Sequence, residues 1–187
     1  MATESSHLRS TDLELVNRAR EGDPSAFHEL VDRYANYLFA VAVSLSGNTV
    51  DAEDIVQETF AGAFRGLGAF RASASVKTWL TRILIRQAAR HLRHARRRKA
   101  TFRPLEATSD SQVAVPSSHP GVDARIDVMA AIRSLGPDHQ EVIALREIQG
   151  LSYEEMAEIL EVPRGTVESR LFRARRELRE RLREYLG

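Results

Sequence analysis

The chain contains no cysteine, which excludes disulfides, thiolate metal sites and a cysteine nucleophile. Walker and dinucleotide-type glycine loops are also missing, as is a G-x-S-x-G elbow, so nucleotide and serine-hydrolase chemistry lack their usual sequence carriers. The N-terminal stretch MATESSHLRSTD has no apolar core of the kind a secretory signal needs, and no apolar run is long enough to span a bilayer. The expectation is a soluble, cytoplasmic protein without membrane insertion. His91 and His94 stand three apart, but no nearby carboxylate or thiol completes a metal set. Asp51, Glu53 and Asp54 cluster without the alternating ligands and central glycine of a calcium loop. No catalytic residue, metal ligand or cofactor is expected. The chain reads as a binding protein and not as an enzyme.

One further absence turns the reading toward function. The 187 residues carry a net charge of only +1, yet from Thr59 to Leu105 there are twelve basic residues and no acidic one. Between Glu21 and Phe60 the balance reverses, with eight acidic residues and the single basic Arg33. Such segregation implies different partners for different surfaces, a polyanion being the natural one for the basic interval.

What is present is almost entirely helical. Thr11-x-x-Glu14 is a capping box that opens a helix with Leu13, Val16 and Ala19 on one side. Gly22 ends it, and Asp23-Pro24 start a longer helix whose apolar stripe runs from Phe27 and Leu30 to Leu38, Val41 and Ala42. Ser46-Gly47-Asn48 breaks that helix, and Asp51 is placed to cap the next, through Ile55, Val56, Phe60 and Phe64. A polar loop over 66–75 holds Phe70 and Arg71 and precedes a long helix, Val76–Arg98, with Trp79, Leu80, Ile83, Leu84 and Leu92 on its apolar side. Around Thr101–Val122 three prolines and several serines replace that periodicity. This stretch reads as a flexible linker able to reach about 70 Å when extended. The organisation is therefore all-α, in two helical domains over 10–100 and 123–187, joined by the linker over 101–122.

The second domain contains the most informative stretch, LSYEEMAEILEVPRGTVESRLFRARRELRERL at Leu151–Leu182. Ser152 and Glu155 form another capping box, Met156, Ala157 and Leu160 share a face, and Pro163 breaks the helix after Val162. A second stripe follows at Val167, Leu171, Ala174, Leu178 and Leu182. A small residue at the crossing, a short turn and an arginine-rich second helix make a DNA-binding helix-turn-helix. The plainer alternative is a helical hairpin with a solvated arginine face.

Four segments carry a family resemblance. AFHELVDRYANYLFAVA, DAEDIVQETF, FRASASVKTWLTRILIRQAARHLRHARRR and LGPDHQEVIALREIQGLSYEEMAEILEVPRGTVESRLFRARREL occur in that order. Together they resemble bacterial sigma factors, in particular the small two-domain extracytoplasmic function (ECF) group. The resemblance implies a transcription initiation factor, often of a stress response, that directs core RNA polymerase to promoters. Its implied partners are the β′ clamp helices and β flap of the polymerase, promoter DNA and an anti-sigma factor. Asp51, Asp54, Gln57 and Glu58 correspond to the helix that docks on polymerase. Phe70, Arg71, Ser73, Ser75, Lys77 and Trp79 correspond to the segment that captures and melts the −10 element. Arg82, Arg86, Arg90 and Arg93 follow along one side of that helix, suited to phosphates. Arg164, Thr166, Glu168, Ser169, Arg170, Phe172, Arg173 and Arg176 correspond to the −35 reader. A tryptophan that begins an apolar stripe also fits a core role, and Asp51 also fits a helix N-terminus.

Two departures from the family pattern stand out. Arg86 and Arg90 occupy positions where many relatives carry Asn and Asp, which exchanges polar base contacts for phosphate contacts. Glu168 occupies a position where basic residues are common. A carboxylate there can accept from cytosine N4 but repels phosphate, so an unusual −35 preference is expected. The rival reading is a dimeric helix-turn-helix regulator with a helical sensor domain, which binds a palindrome without polymerase. A polymerase-associated protein that never reads DNA is a second rival.

Overall fold

The computed structural model describes residues 11–101 and 128–186, with backbone only over 95–101 and 184–186. Among these residues every regular element is helical. Helix α1 (Asp12–Arg20) begins at a reciprocal cap: the Glu14 N–H donates to Thr11 Oγ1 (3.3 Å) and the Thr11 N–H to the Glu14 carboxylate (2.7 Å). Its buried face is Leu15, Val16 and Ala19, whereas Leu13, assigned inward by the sequence pattern, is 45% exposed. Leu15 and Ala19 lie one turn apart and share a face that Leu13 leaves. Helix α2 (Pro24–Ser46) takes Asp23 as its cap and proline at its first turn, as expected. It stops at Gly47, whose φ of 80° belongs to the left-handed region that side chains resist. A Cβ there would also lie 2.2 Å from the Arg133 side chain.

Helix α3 (Thr49–Gly66) is capped by Asn48, one turn earlier than the sequence suggested. Asn48 Oδ1 accepts from the Asp51 N–H at 2.7 Å, which makes Asp51 a first-turn acid and not the cap. A short 3₁₀ turn (Leu67–Ala69) extends α3 into the region read as loop, so the irregular connection narrows to 70–75. Helix α4 (Val76–Thr101) then runs back across α2 and α3.

The second domain starts with α5 (128–134) and α6 (Pro137–Ile143), which continues into a π turn, Ala144–Ile148. That wider turn has no signature in the apolar pattern. Gly150 (φ 68°) reverses the chain, and the Ser152–Glu155 capping box opens α7 (Tyr153–Leu160) as expected. Helix α7 ends at Glu161, whose φ of 55° makes it the one non-glycine residue with positive φ among those described. Pro163 follows and α8 (Arg164–Leu186) leaves at an angle.

Leu30, Leu38, Val41, Ile55, Leu80 and Leu84 of the first domain and Ile143, Leu145, Met156, Val167, Leu171 and Ala174 of the second belong to one buried apolar cluster. Each fully buried aliphatic side chain contributes about 1.5–3 kcal/mol. The domains do not stand apart as the linker's reach would allow: α4 packs on α7, and α2 on the π turn. Beyond Thr101 the expected linker lies outside the described residues.

Candidate polymerase-docking and nucleic-acid interfaces

The acidic candidates sit on the outer side of α3. Ala52, Ile55, Thr59, Phe60 and Ala63 turn inward, which leaves Asp54, Gln57 and Glu58 exposed together one turn apart. Asp51 lies at the edge of this group and is engaged within the fold. Asn48 Nδ2 donates to its Oδ2 (2.7 Å), and His91 Nε2 lies 2.9 Å from its Oδ1. His91, which has no carboxylate near it in the sequence, thus ties α4 to α3. Glu58 faces Arg90 at 3.3 Å, so an acidic docking candidate and a DNA candidate share one pair, with each side chain about half exposed.

The loop before α4 is built around Phe70. Its ring is 5% exposed and stacks at a tilt on Trp79, with centroids 5.0 Å apart. Trp79 is half-buried against the same core. This pair is a wall and not two free rings. Arg20 of α1 holds the loop from behind: its Nε donates to the Leu67 carbonyl (2.7 Å), and its Nη2 makes a short hydrogen bond to the Phe70 carbonyl. The guanidinium also lies 5.8 Å from the Phe70 centroid. Nothing local in the sequence joins Arg20 to a loop some fifty residues later, and only packing discloses it. Ser75 caps α4 by accepting from the Thr78 N–H (3.0 Å), and Lys77 lies 4.4 Å over the Tyr37 ring. Arg71 and Ser73 remain exposed on the loop.

Phe70, Arg71, Ser73, Trp79, Arg82 and Arg86 line one cavity of about 250 Å³. The sequence-derived candidates thus converge on a pocket with an aromatic wall and a cationic rim. That combination suits an unstacked base and its phosphate. A residue absent from the candidate set, Glu161 of the second domain, also lines it. Arg93 is exposed further along α4, beside a second cavity with Asp138 and Glu141. Burial, reinforced by Asp138, pushes the Glu141 carboxyl up to about 7, and Arg170 and Arg93 oppose the shift.

In the helix-turn-helix, Val167, Leu171 and Ala174 are buried, which turns Gly165, Glu168, Phe172 and Arg176 outward along α8. Phe172 is 70% exposed. Arg164 Nε donates to Glu168 Oε1 (2.8 Å), and Arg164 Nη1 to Glu154 Oε1 (2.5 Å). Glu168 and Glu154 together raise the Arg164 pKa above its ordinary value. Arg173 is exposed, and Thr166 accepts from Ser169 Oγ through its carbonyl (3.0 Å). Arg170 turns the other way and pairs with Asp138 of α6 at 2.9 Å, three-quarters buried. Arg176 lies 3.9 Å from Glu180, and Glu177 takes both Arg181 (2.9 Å) and His139 (2.8 Å).

The chain as a whole is similar to known proteins. Residues 30–98 match the family model Sigma-70 region 2, and residues 125–178 match Sigma-70, region 4. The chain is similar to the ECF RNA polymerase sigma-E factor of Salmonella typhimurium, with 40% identity over 88% of this chain and 91% of that one. It is 36% identical to the protein of the same description in Haemophilus influenzae, over 88% and 92% of the two chains. The RNA polymerase sigma-H factor of Pseudomonas aeruginosa is 33% identical over 94% and 95%. Among solved structures, CnrH in complex with the cytosolic domain of CnrY superposes with a TM-score of 0.69 at 27% identity, over 92% of this chain and 97% of that one. The sigma factor RpoE of Bartonella quintana, solved with the anti-sigma factor NepR, superposes with a TM-score of 0.63 at 30% identity, over 84% and 96%.

Proposed function

The chain belongs to the extracytoplasmic function sigma factors, and from that premise we propose how its surfaces divide the work of promoter-specific initiation. It is a binding component that supplies positioning and strand capture, while the polymerase supplies the chemistry. In this reading Asp54, Gln57 and Glu58 on α3 dock on core polymerase at the β′ clamp helices, with Asp51 at the margin. The pocket of Arg71, Ser73 and the Phe70–Trp79 wall takes a base drawn from the −10 strand. Ser75 sets the start of α4, and Lys77, Arg82, Arg86, Arg90 and Arg93 run along the phosphates. The outward stripe of α8, with Arg164, Glu168, Phe172, Arg173 and Arg176, enters the −35 major groove. Arg170 positions α8 against α6, and Ser169 and Thr166 lie at the groove's edge.

The observation that carries this reading is the convergence on one cavity of an aromatic wall and four polar or cationic loop and helix residues. The rival of a dimeric regulator gains nothing from such a pocket. We assign 10–100 to the −10 and polymerase functions, 101–122 to the linker and 123–187 to −35 recognition and the β flap. The site of action is the cytoplasm, where polymerase and promoters are; among the described residues no helix is long and apolar enough to cross a membrane. An anti-sigma factor is the expected regulator, since the similar CnrH and RpoE structures are both complexes, the latter named with an anti-sigma factor. The test is to map transcript starts made by the purified chain with core polymerase on genomic DNA. Shared −10 and −35 elements upstream of those starts support the reading; absence of promoter-specific transcripts from a cognate template overturns it.

A further inference from the structure

The basic face of α4 lies against acidic residues at the end of α7. Glu155 and Glu158 lie one turn apart on α7, and Glu161 caps its C-terminal end. Arg86 Nη2 donates to Glu161 Oε2 at 2.6 Å, with Arg86 65% and Glu161 50% exposed. Arg82 Nη2 donates to the Glu158 carbonyl at 2.9 Å and lies 3.9 Å from Glu158 Oε1, and its Nε lies 3.5 Å from Glu161 Oε1. The Glu155 carboxyl is held below its usual range by the backbone and hydroxyl of Ser152 and, at longer range, by Lys77. Two of the cations set along α4 for the −10 strand, Arg82 and Arg86, therefore each face a carboxylate of the other domain. Glu161 enters the base pocket itself. It does so from a left-handed backbone, φ 55°, a conformation that most side chains resist and that aims this carboxylate past the end of α7.

We propose that the acidic end of α7, Glu158 and Glu161, is an intramolecular stand-in for the −10 strand, so that the second domain and single-stranded DNA compete for Arg82 and Arg86. The inference rests on the assignment of that surface to the −10 element. Carboxylates spaced along a helix offer the same chemistry as backbone phosphates, namely oxygen acceptors with negative charge matched to a row of guanidinium groups. The Arg86–Glu161 pair is at least half exposed, so it is weak and screened by salt. It suits a mask that must yield when polymerase and promoter pull the domains apart. The free chain then binds its strand with an affinity reduced by the fraction of molecules that are open.

Two measurements test this on the full chain. The absence of cysteine allows a clean dye pair at Asp32→Cys and Arg179→Cys, exposed positions on α2 and α8 that carry no proposed contact. The second measurement is the affinity for a fluorescent single strand that carries the −10 sequence. The expected result is that E158Q/E161Q, which keeps side-chain shape, lowers energy transfer and binds the strand about tenfold more tightly, as an open fraction near one in ten predicts. Raising ionic strength should lower transfer in the parent, which tests the seam without any substitution at it. The proposal is overturned if energy transfer falls while strand affinity is unchanged, or if neither changes. Failure of the −10 assignment looks different: parent and variant alike then do not hold the strand, and the proposal falls with it.

Discussion

Arg164 Nε donates to Glu168 Oε1 at 2.8 Å, while the other arm of the same guanidinium reaches Glu154. The acid on the recognition helix is therefore not a bare charge pointed at DNA. Its repulsion of phosphate is offset by a cation one turn away, which leaves it usable as an acceptor at base edges. Glu168→Gln, and more strongly Glu168→Arg, should change the preferred base at one −35 position about tenfold, the scale of one base contact. Transcription from a promoter library randomised over the −35 element reads this directly. An unaltered preference in both variants would remove Glu168 from the groove.

Docking on polymerase should depend on the exposed acids of α3. Asp54→Ala and Glu58→Ala are expected to lower affinity for core polymerase severalfold, chiefly through association rate. Binding of the variants to −35 duplex should stay at the parent value. Competition against a labelled sigma factor for core enzyme, beside a duplex-binding assay, separates the two effects.

Phe70 and Arg71 are neighbours with opposite expected behaviour. Phe70 is 5% exposed and stacked on Trp79, so Phe70→Ala should destabilise the fold by about 3–5 kcal/mol. Arg71→Ala should leave the denaturation midpoint unchanged and impair opening of the −10 region. Denaturant titration and permanganate footprinting of open complexes distinguish them.

Arg173 is exposed on α8 next to Phe172. Arg173→Ala should weaken promoter binding across all −35 sequences and reduce the slope of log K against log salt by about 1. A loss confined to one sequence would show a base contact and not a phosphate contact.

Glu141 makes stability depend on pH. Its folded pKa of about 7 lies above the ordinary 4.5, so the native state holds its proton more tightly than the unfolded chain. The stability this group contributes is full below about 4.5 and is lost as pH rises through about 7. Glu141→Gln should flatten the stability profile over that window and raise stability at pH about 8 by up to about 3 kcal/mol. Thermal melts of parent and variant across pH measure it.

Much of this molecule was legible in its sequence because the signals are local. The capping boxes at Thr11 and Ser152, the Asp23-Pro24 start and the Val167–Leu171–Ala174 stripe each depend on residues within a turn or two, and each recurs in the structure. The miss at Leu13 came from reading one spacing where Leu15 satisfied another. Asn48 displaced Asp51 as the cap because both are good cap residues three apart, and backbone geometry chose between them. The π turn at Ala144–Ile148 leaves no trace in an apolar pattern.

By itself, then, the sequence determined the all-helical class, the two domains, the segregation of charge and the membership in a sigma-factor family. The class, the domains and the charge pattern follow from periodicity, caps and composition, which act over a few residues, and the family membership follows from the resemblance of whole segments. Only the tertiary structure decided that Arg20 braces the Phe70 loop, that Arg170 and His91 point into the fold, and that Glu161 sits in the pocket beside Arg86. Each of these joins residues far apart in the chain. Their pairing depends on how helices cross and which side chains meet in the seam, which no short window of sequence contains.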